Sequence, residues 1–497
     1  MRALFLPAAL LMIEFIIKLH PEISIKSKSV RKRQTMLLEQ NLKTILLQLH
    51  PEVVVRNLFD HLTVTLDLAD EALATRMAEH LQCIPGIVQF ARMQSAAFSS
   101  LHDIFEQVLA VYQSQLQGKT FVVRVKRQGD HEFTSTEAER YIGGGLNQHI
   151  ASASVRLQQP DLKVQLEIRK DKFIMVRQMY QGMGGFPLPS QGDVLSLISG
   201  GFDSAVASYL MIRKGLRTHF LFFNLGGAAH ETGVRQMAFY LWQKYSLSHK
   251  VKFVSVDFAP VVTEILEKID SGLMGVVLKR MMMRAAATVA ESLNIKAVVT
   301  GESIGQVASQ TIVNLNVIDR VTEMLILRPL VYQDKQEIID IARAIGVEDI
   351  AKTMPEYCGV ISKSPTVNAV LSAVNAAEAQ FDFDLLQQVS AAAKVLDIRT
   401  VEYQASQQIS TVQTEAVLPT GAVVLDVRAP DEAERAPLQL DSHQVELLPF
   451  YKIANGFAAL DQSLHYYLYC DRGVMSRLQA LLLKEQGFTN VSVYQKP

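Results

Sequence analysis

The chain has 497 residues, with 49 Lys and Arg against 50 Asp and Glu and a formal net charge of -1; at roughly 150 residues per domain, that length calls for three or four domains. Hydrophobic residues at 49% and charged residues at 20%, with only 26 Gly and 16 Pro, exclude a disordered or collagen-like chain. The charge balance excludes a uniformly basic nucleic-acid coat protein and leaves room for local basic patches. Three cysteines, Cys83, Cys358 and Cys470, are too few and too odd in number for a disulfide scaffold, which points to the cytoplasm and to chemically employed thiols.

At the N-terminus, Arg2 and the apolar run Ala3 to Ile13 imitate a secretory leader, but the run is too short to span a bilayer and no small-x-small cleavage site follows. Residues 1–11 read as an extension or a misassigned start ahead of Met12, and no membrane is expected. From there the elements are a strand (Ile13 to Leu19), a helix (Val30 to Leu49), two strands (Val53 to Arg56, Leu62 to Leu66), a helix (Glu71 to Leu81) and a strand (Gly86 to Ala91). This βαββαβ order over residues 12–92 is a ferredoxin-like unit. Between its first strand and first helix, Lys26, Lys28, Arg31, Lys32 and Arg33 place five cations in eight residues without an acid. Such a run is either a solvated helix entrance or a phosphate-contacting surface. Cys83, ahead of Ile84-Pro85-Gly86, reads as packing.

Next come a helix (Leu101 to Gln117), a strand (Thr120 to Arg127), a helix (Ser135 to His149) and a hairpin (Val164 to Ile168 with Phe173 to Arg177). Arg124 and Lys126 alternate along the strand, and Arg127 adjoins them, so charge is expected on one strand face. The Arg-Val-Lys-Arg strand, with Tyr141-Ile142-Gly143-Gly144-Gly145 after it, resembles the THUMP domain, a module with which RNA-modifying enzymes hold tRNA. Its conventional span would be residues 75–180. Together with the earlier basic run it favours an RNA-binding surface.

A Gly/Pro boundary, Gln181 to Pro189, opens a region of alternating strands and helices to about residue 355, the pattern of a doubly wound parallel sheet. Within it an apolar strand, Val194 to Ile198, runs into Ser199-Gly200-Gly201-Phe202-Asp203-Ser204 and a helix from Ala205. A strand, a glycine turn and a helix N-terminus make an anion site, because unpaired amides and the helix dipole converge there. No G-x-x-x-x-G-K-[ST] occurs, which excludes a Walker NTPase. The motif resembles the PP-loop of the ATP pyrophosphatases, which adenylate a substrate oxygen and release pyrophosphate. The resemblance implies ATP and magnesium as cofactors, with Asp203 acting at the phosphates and Ser199, Gly200, Gly201 and Ser204 cradling them. Leu197 and Ile198, with Phe222 and Phe223 at the next strand's end, are expected beside adenine and ribose, and Lys279, Gly301 and Gln310 complete the expected nucleotide wall. Lys335 is either a neutraliser of developing phosphate charge or a solvated lysine at a helix start.

An Ala-rich helical stretch (Val370 to Leu396) and a Gln/Ser/Thr segment (Gln404 to Thr414) read as a connector, the former closing a domain of residues 181–400. A last α/β unit spans 418–497. There Cys470 follows the strand Tyr466 to Tyr469 and precedes a helix from Arg477, a setting in which amides cradle an anionic sulfur. With Leu425-Asp426-Val427-Arg428 upstream, the unit resembles a rhodanese domain, although Met475 stands where its loop usually has arginine and the chain lacks a terminal Gly-Gly. Cys470 would carry a persulfide. Cys358, in Pro355-Glu356-Tyr357-Cys358-Gly359, would be the resolving thiol that forms a disulfide with Cys470 after sulfur leaves.

These modules in this order resemble one family, the tRNA 4-thiouridine synthetases (ThiI) with a rhodanese tail. The resemblance implies ATP-dependent transfer of persulfide sulfur to the uridine at position eight of tRNA through an adenylated uridine. It also implies a cysteine desulfurase as sulfur donor and sulfur delivery to a carrier protein for the thiamine thiazole; a homodimer is compatible with it. Two other classes share parts of the pattern: an amidotransferase-type or small-molecule adenylating synthetase, and a non-enzymatic RNA-binding or sulfur-relay protein.

Overall fold

Strand β1 (Ile13–Leu19) buries Ile13, Phe15, Ile17 and Leu19 and leaves the alternate residues more open, as a period of two requires. In the computed structural model, which describes residues 12–58, 61–225, 227–352, 354, 364–401, 414–428, 430–440, 442–450, 453, 456–470 and 474–496, this strand lies near the middle of an eight-stranded sheet. Its partners are β2 (Val54–Asn57), β3 (His61–Leu66), β4 (Ile87–Ala97), β5 (Thr120–Gln128), β6 (Ser154–Val155), β7 (Leu162–Arg169) and β8 (Lys172–Gln181). The order is β2-β3-β1-β4-β8-β7-β5-β6, and its first four strands have the ferredoxin-like arrangement. The sheet belongs to the first of two compact units, residues 1–191 with 213–215; the second comprises 192–212 with 216–497.

Strand β4 runs six residues beyond the expected end at Ala91 and pairs with β8 from Gln89 to Ala97, with a bulge between Arg92 and Met93. One strand therefore serves both halves of the sheet. The extension escapes a hydrophobic pattern because Arg92 is buried at its centre, its guanidinium forked onto Glu71 at 2.7 and 2.8 Å. In the second half, Ile104, Phe105, Phe121, Ile142, Leu166 and Phe173 share a core. The glycine stretch lies inside the helix Ser135–His149, where Gly145 lets the Phe105 ring come within 2.4 Å of the place a Cβ would occupy.

The second unit holds two sheets. The first contains β9 (Asp193–Leu197), β10 (Arg217–Asn224), β11 (Lys252–Asp257), β12 (Ala297–Val299), β13 (Leu325–Leu327) and β14 (Lys394–Asp397), in the order β13-β12-β9-β10-β11-β14. All neighbours are parallel except β14, which runs antiparallel along β11. The Ala-rich stretch is thus more than a helical connector: two helices, Leu371–Glu378 and Phe383–Ala391, are followed by this edge strand. Glu378 anchors the first by accepting from Arg280 at 2.5 Å inside the helix Met274–Ser292, with both side chains buried. The second sheet orders β15 (Thr414–Glu415), β16 (Val423–Asp426), β17 (Gln444–Leu447), β18 (Tyr466–Tyr469) and β19 (Val491–Tyr494) as β15-β19-β18-β16-β17, all parallel. Among the described residues no helix is long and apolar enough to cross a membrane. Residues 1–11 lie outside the described residues.

Candidate functional site

In the first sheet of the second unit the chain goes from β9 through β10 to β11, then returns to the other side of β9 as β12. The carboxyl ends of β9 and β12 therefore flank a topological switch point, where open α/β sheets bind ligands. Two loops meet there. The loop after β9 closes on itself: the Ser199 amide donates to Ser204 Oγ (3.1 Å), and Ser204 Oγ in turn donates to the Gly201 carbonyl (3.1 Å). Gly200 has φ +85°, a conformation that side chains resist, and the Met354 sulfur lies 2.9 Å from where its Cβ would be. The helix Phe202–Arg213 starts directly after the loop, three residues earlier than its apolar pattern indicates. Its first amides and dipole face the loop. His230 Nε2 sits 3.2 Å from the Ser199 carbonyl, and burial holds this imidazole below its ordinary pKa, so the neutral ring is the donor.

The loop after β12 presses against the first. A Cβ on Gly301 would stand 2.6 Å from the Asp203 carbonyl carbon and 2.8 Å from the Ser204 nitrogen, so only glycine fits. Asp203, in the first turn of its helix, meets Lys335, the first residue of the helix Lys335–Ile345; the ammonium lies 2.8 and 3.0 Å from the two carboxylate oxygens. Two residues 132 positions apart are thereby brought together, and Lys335 is not merely a solvated helix start. Its ammonium also lies 5.6 Å from the centre of the Phe202 ring.

Gln310 Oε1 accepts from the Ser303 amide (3.3 Å), which ties the expected wall to the β12 loop. Lys279 Nζ lies 3.8 Å from Glu302 Oε1. Glu302, which residue spacing does not single out, is 3% exposed and accepts from Thr300 Oγ1 (3.0 Å) and Arg328 Nε (2.9 Å). Burial alone would raise its carboxyl pKa, but the Lys279 and Arg328 charges and the Arg328 and Thr300 hydrogen bonds hold it below the usual carboxylate range. Ile198 is buried and donates its amide to Leu221, while Leu197 is half-buried. The Phe222 and Phe223 rings are buried against His230 and Phe258 at the carboxyl end of β10. The cause is the position of β10 inside a parallel sheet covered on both faces, which buries both side-chain rows.

The second sheet repeats the logic. β17 lies on one side of β16 and β18 on the other, so the carboxyl ends of β16 and β18 flank its switch point. Cys470 follows β18 there, 7% exposed. Its sulfur receives the Ser476 amide at 3.3 Å and lies 3.4 Å from Ser476 Oγ, at the start of the helix Val474–Glu485. Ser476 is another residue that sequence spacing does not single out. Across the switch point, Asp426 forks onto Arg428 at 2.9 and 2.6 Å, both buried, and the Val427 amide donates to the Tyr469 carbonyl (3.0 Å). Cys358 and the loop residues 471–473 lie outside the described residues. Cys83 is half-buried just after the helix Glu71–Gln82.

In the first unit Lys26, Lys28, Lys32 and Arg33 are exposed and Arg31 is half-exposed. The helix that carries most of them, Lys28–Leu46, has no acid in its first turn, so dipole and side chains act with one sign. On β5, Arg124 and Lys126 are exposed on one face, but Arg127 departs from the expectation of a shared face. A period of two turns it the other way, where it donates to the Gly129 carbonyl (2.7 Å) and approaches His131 Nδ1 (3.1 Å).

Comparison with known proteins adds to this geometry. The family model described as Thiamine biosynthesis protein (ThiI) matches residues 189–383, and the THUMP domain model matches residues 98–176. A tRNA sulfurtransferase of Tolumonas auensis is 57% identical over 483 residues, covering 97% of this chain and 100% of its own length. One of Shewanella frigidimarina is 55% identical over 482 residues, with the same coverage. Among solved structures, a 4-thiouridine synthetase crystallised in complex with RNA and with bound ATP superposes with a TM-score of 0.66 at 24% identity, covering 78% of this chain and 99% of its own.

Proposed function

The chain belongs to the tRNA sulfurtransferase family, and we propose that this enzyme uses ATP to convert the uridine at position eight of tRNA into 4-thiouridine with sulfur carried as a Cys470 persulfide. The observation that carries the reading is the pairing of Asp203 with Lys335 beside a self-closed glycine loop at a sheet switch point. Such a site offers amides, a helix N-terminus and an exchangeable cation to a polyphosphate. The solved neighbour's bound ATP supports the same reading. Gly200 and Gly201 would cradle the phosphates, Ser199 and Ser204 would hold the loop's shape, and Lys279, Gly301 and Gln310 would wall the nucleotide. Asp203 would hold a magnesium ion that neutralises phosphate charge when the nucleotide is bound.

ATP supplies the AMP group that turns the uridine O4 into a leaving group. Sulfur arrives from a cysteine desulfurase as a persulfide on Cys470, where the Ser476 amide and hydroxyl can stabilise an anionic sulfur. The terminal sulfur attacks C4, AMP departs with its oxygen, and a C4–S–S–Cys470 link remains. A Cys358 thiolate then attacks the Cys470 sulfur and releases the thiolated base. The resulting Cys358–Cys470 disulfide takes two electrons from a thiol reductant before the next cycle. The basic residues Lys26 to Arg33, Arg124 and Lys126 would contact tRNA phosphates. The ThiI family description supports a second outlet for the sulfur, a carrier protein serving the thiamine thiazole, and the enzyme would work in the cytoplasm.

The test is nucleoside mass spectrometry of tRNA incubated with enzyme, ATP, cysteine and a desulfurase. Wild-type enzyme should form 4-thiouridine, and Asp203→Ala should form none while binding tRNA within about threefold of wild type, because phosphate contacts on other modules set tRNA affinity. Thiolation by Asp203→Ala at the wild-type rate would refute the site.

A further inference from the structure

Glu302 is almost wholly buried, and its two oxygens are used unequally. Oε2 takes both hydrogen bonds, from Thr300 Oγ1 and Arg328 Nε. Oε1 is buried, accepts no hydrogen bond among the described residues, and faces Lys279 Nζ at 3.8 Å. Arg328 is meanwhile forked onto Asp319 at 2.9 and 2.5 Å. The set thus holds two cations and two carboxylates, the condition under which buried charge is tolerated. Gly301, one residue earlier, touches the backbone of Asp203 and Ser204. The carboxylate is therefore fixed relative to the glycine loop, and anything it holds is fixed as well.

We propose that Glu302 is a positioning residue that acts through Lys279: its buried carboxylate, clamped by Arg328 and Thr300, holds the lysine ammonium in place for the nucleotide. The inference rests on the reading of Lys279 as part of the nucleotide wall. A lysine side chain has a flexible four-carbon stem, and restricting it before the ligand arrives removes an ordering cost from binding. At 3.8 Å the contact is a charge pair and not a hydrogen bond. Glu302→Gln keeps the shape and the hydrogen bonding of Oε2 but removes the charge that holds Lys279.

The experiment is a double-mutant cycle on the full chain, with tRNA-dependent pyrophosphate release followed as a function of ATP. Lys279→Met and Glu302→Gln should each raise KM for ATP about tenfold, and the double variant should also stand at about tenfold, because two residues acting as one unit are not additive. The kcat value should stay within about twofold and tRNA binding should match wild type, while Glu302→Gln lowers the melting temperature because it takes one charge out of a buried set. A double variant near the product of the singles, about a hundredfold, would overturn the inference, as would a wild-type KM in Glu302→Gln. If Lys279→Met itself leaves KM unchanged, the nucleotide-wall reading of that lysine fails, and the inference with it. Should Glu302→Gln not fold, Thr300→Val removes one clamp on the carboxylate; it should raise KM about threefold in the wild-type background and not in Lys279→Met. An equal effect in both backgrounds would overturn the inference.

Discussion

Gly301→Ala is a one-carbon change that presses on the nucleotide loop through the backbone of Asp203 and Ser204. The added Cβ would meet the Asp203 carbonyl carbon at 2.6 Å, the Asp203 oxygen at 2.8 Å and the Ser204 nitrogen at 2.8 Å, all backbone atoms that cannot rotate away. To reach ordinary van der Waals contact the two loops must part by roughly 0.6–0.8 Å, a strain of about 1–3 kcal/mol by analogy with overpacked cores. The part of that movement taken up by the first turn of the helix Phe202–Arg213 displaces Asp203 from Lys335 and the helix amides from any bound phosphate. Misplacing reacting groups by about 1 Å costs on the order of 100-fold in rate. The variant should therefore lose about 10- to 100-fold in tRNA-dependent pyrophosphate release and keep its affinity for tRNA. Gly201→Ala is the matched contrast: its Cβ would meet only Ser199 Oγ at 3.7 Å, so the fold accepts it, and a loss of activity there would come from space the nucleotide needs. Wild-type pyrophosphate release by Gly301→Ala would refute the coupling of the two loops.

The thiol chemistry separates from the nucleotide chemistry: Cys470→Ala should accept no persulfide from a desulfurase yet bind ATP normally, whereas Cys358→Ala should load sulfur on Cys470 and stall after one turnover. Peptide mapping without reductant reads this directly, and normal multiple turnover by Cys358→Ala would remove it from the cycle. If about six phosphates are neutralised, tRNA affinity should fall on the order of 1,000-fold between roughly 50 and 200 mM salt; a flat response would exclude the Lys26 to Arg33 surface from binding. The buried His219 accepts the Lys252 amide at Nδ1 (2.9 Å), and burial, opposed by Asp193, pushes its pKa down to about 4. Below the ordinary value near 6.5 the unfolded chain binds the extra proton, so stability is full above that pH and falls as pH drops towards about 4. At about 1.4 kcal/mol per unit the loss approaches roughly 3 kcal/mol well below pH 4, and His219→Asn should lose roughly 2–2.5 kcal/mol less than wild type between pH 7 and 4.5 in denaturant titrations. Equal losses would show that His219 is not held neutral.

Much of the site was legible because local chemistry wrote it. Ser199 to Ser204 follow an apolar strand and open a helix, and that order alone predicts an anion-binding turn. Lys335 was visible as the start of a helix, but its partnership with Asp203 was not, since the contact joins loops far apart in the chain. Glu302 stayed hidden for the opposite reason: a buried carboxylate is identified by what surrounds it, and Arg328 and Lys279 come from distant elements. The same holds for β4, where a buried Arg92 interrupts the apolar pattern of a strand that nevertheless continues. Strand β14 is not legible in the sequence because Lys394 to Asp397 follow helix-forming sequence and pair only at a sheet edge. Arg127 lies off the face of Arg124 and Lys126 because side chains alternate along a strand, whatever their charge.

Strand order explains why the two chemical loops resemble each other in position although they share no sequence. Each follows a strand beside the point where its sheet reverses, β9 with β12 and β18 with β16, and at such a point neighbouring loops diverge and leave a crevice. Each crevice is flanked by a carboxylate–cation pair, but the pairs differ in exposure. The Lys335 and Asp203 side chains are 45% and 27% exposed, those of Arg428 and Asp426 2% and 4%. An exposed pair contributes about 0–1 kcal/mol and opens at little cost, which fits the role proposed for Asp203 and Lys335 at a nucleotide's phosphates. Breaking a buried pair costs about 3–5 kcal/mol because a charge is left without compensation. Asp426 and Arg428 are therefore fixed structure at the carboxyl end of β16, and the turn that follows is tied to the carbonyl of Tyr469, one residue before Cys470.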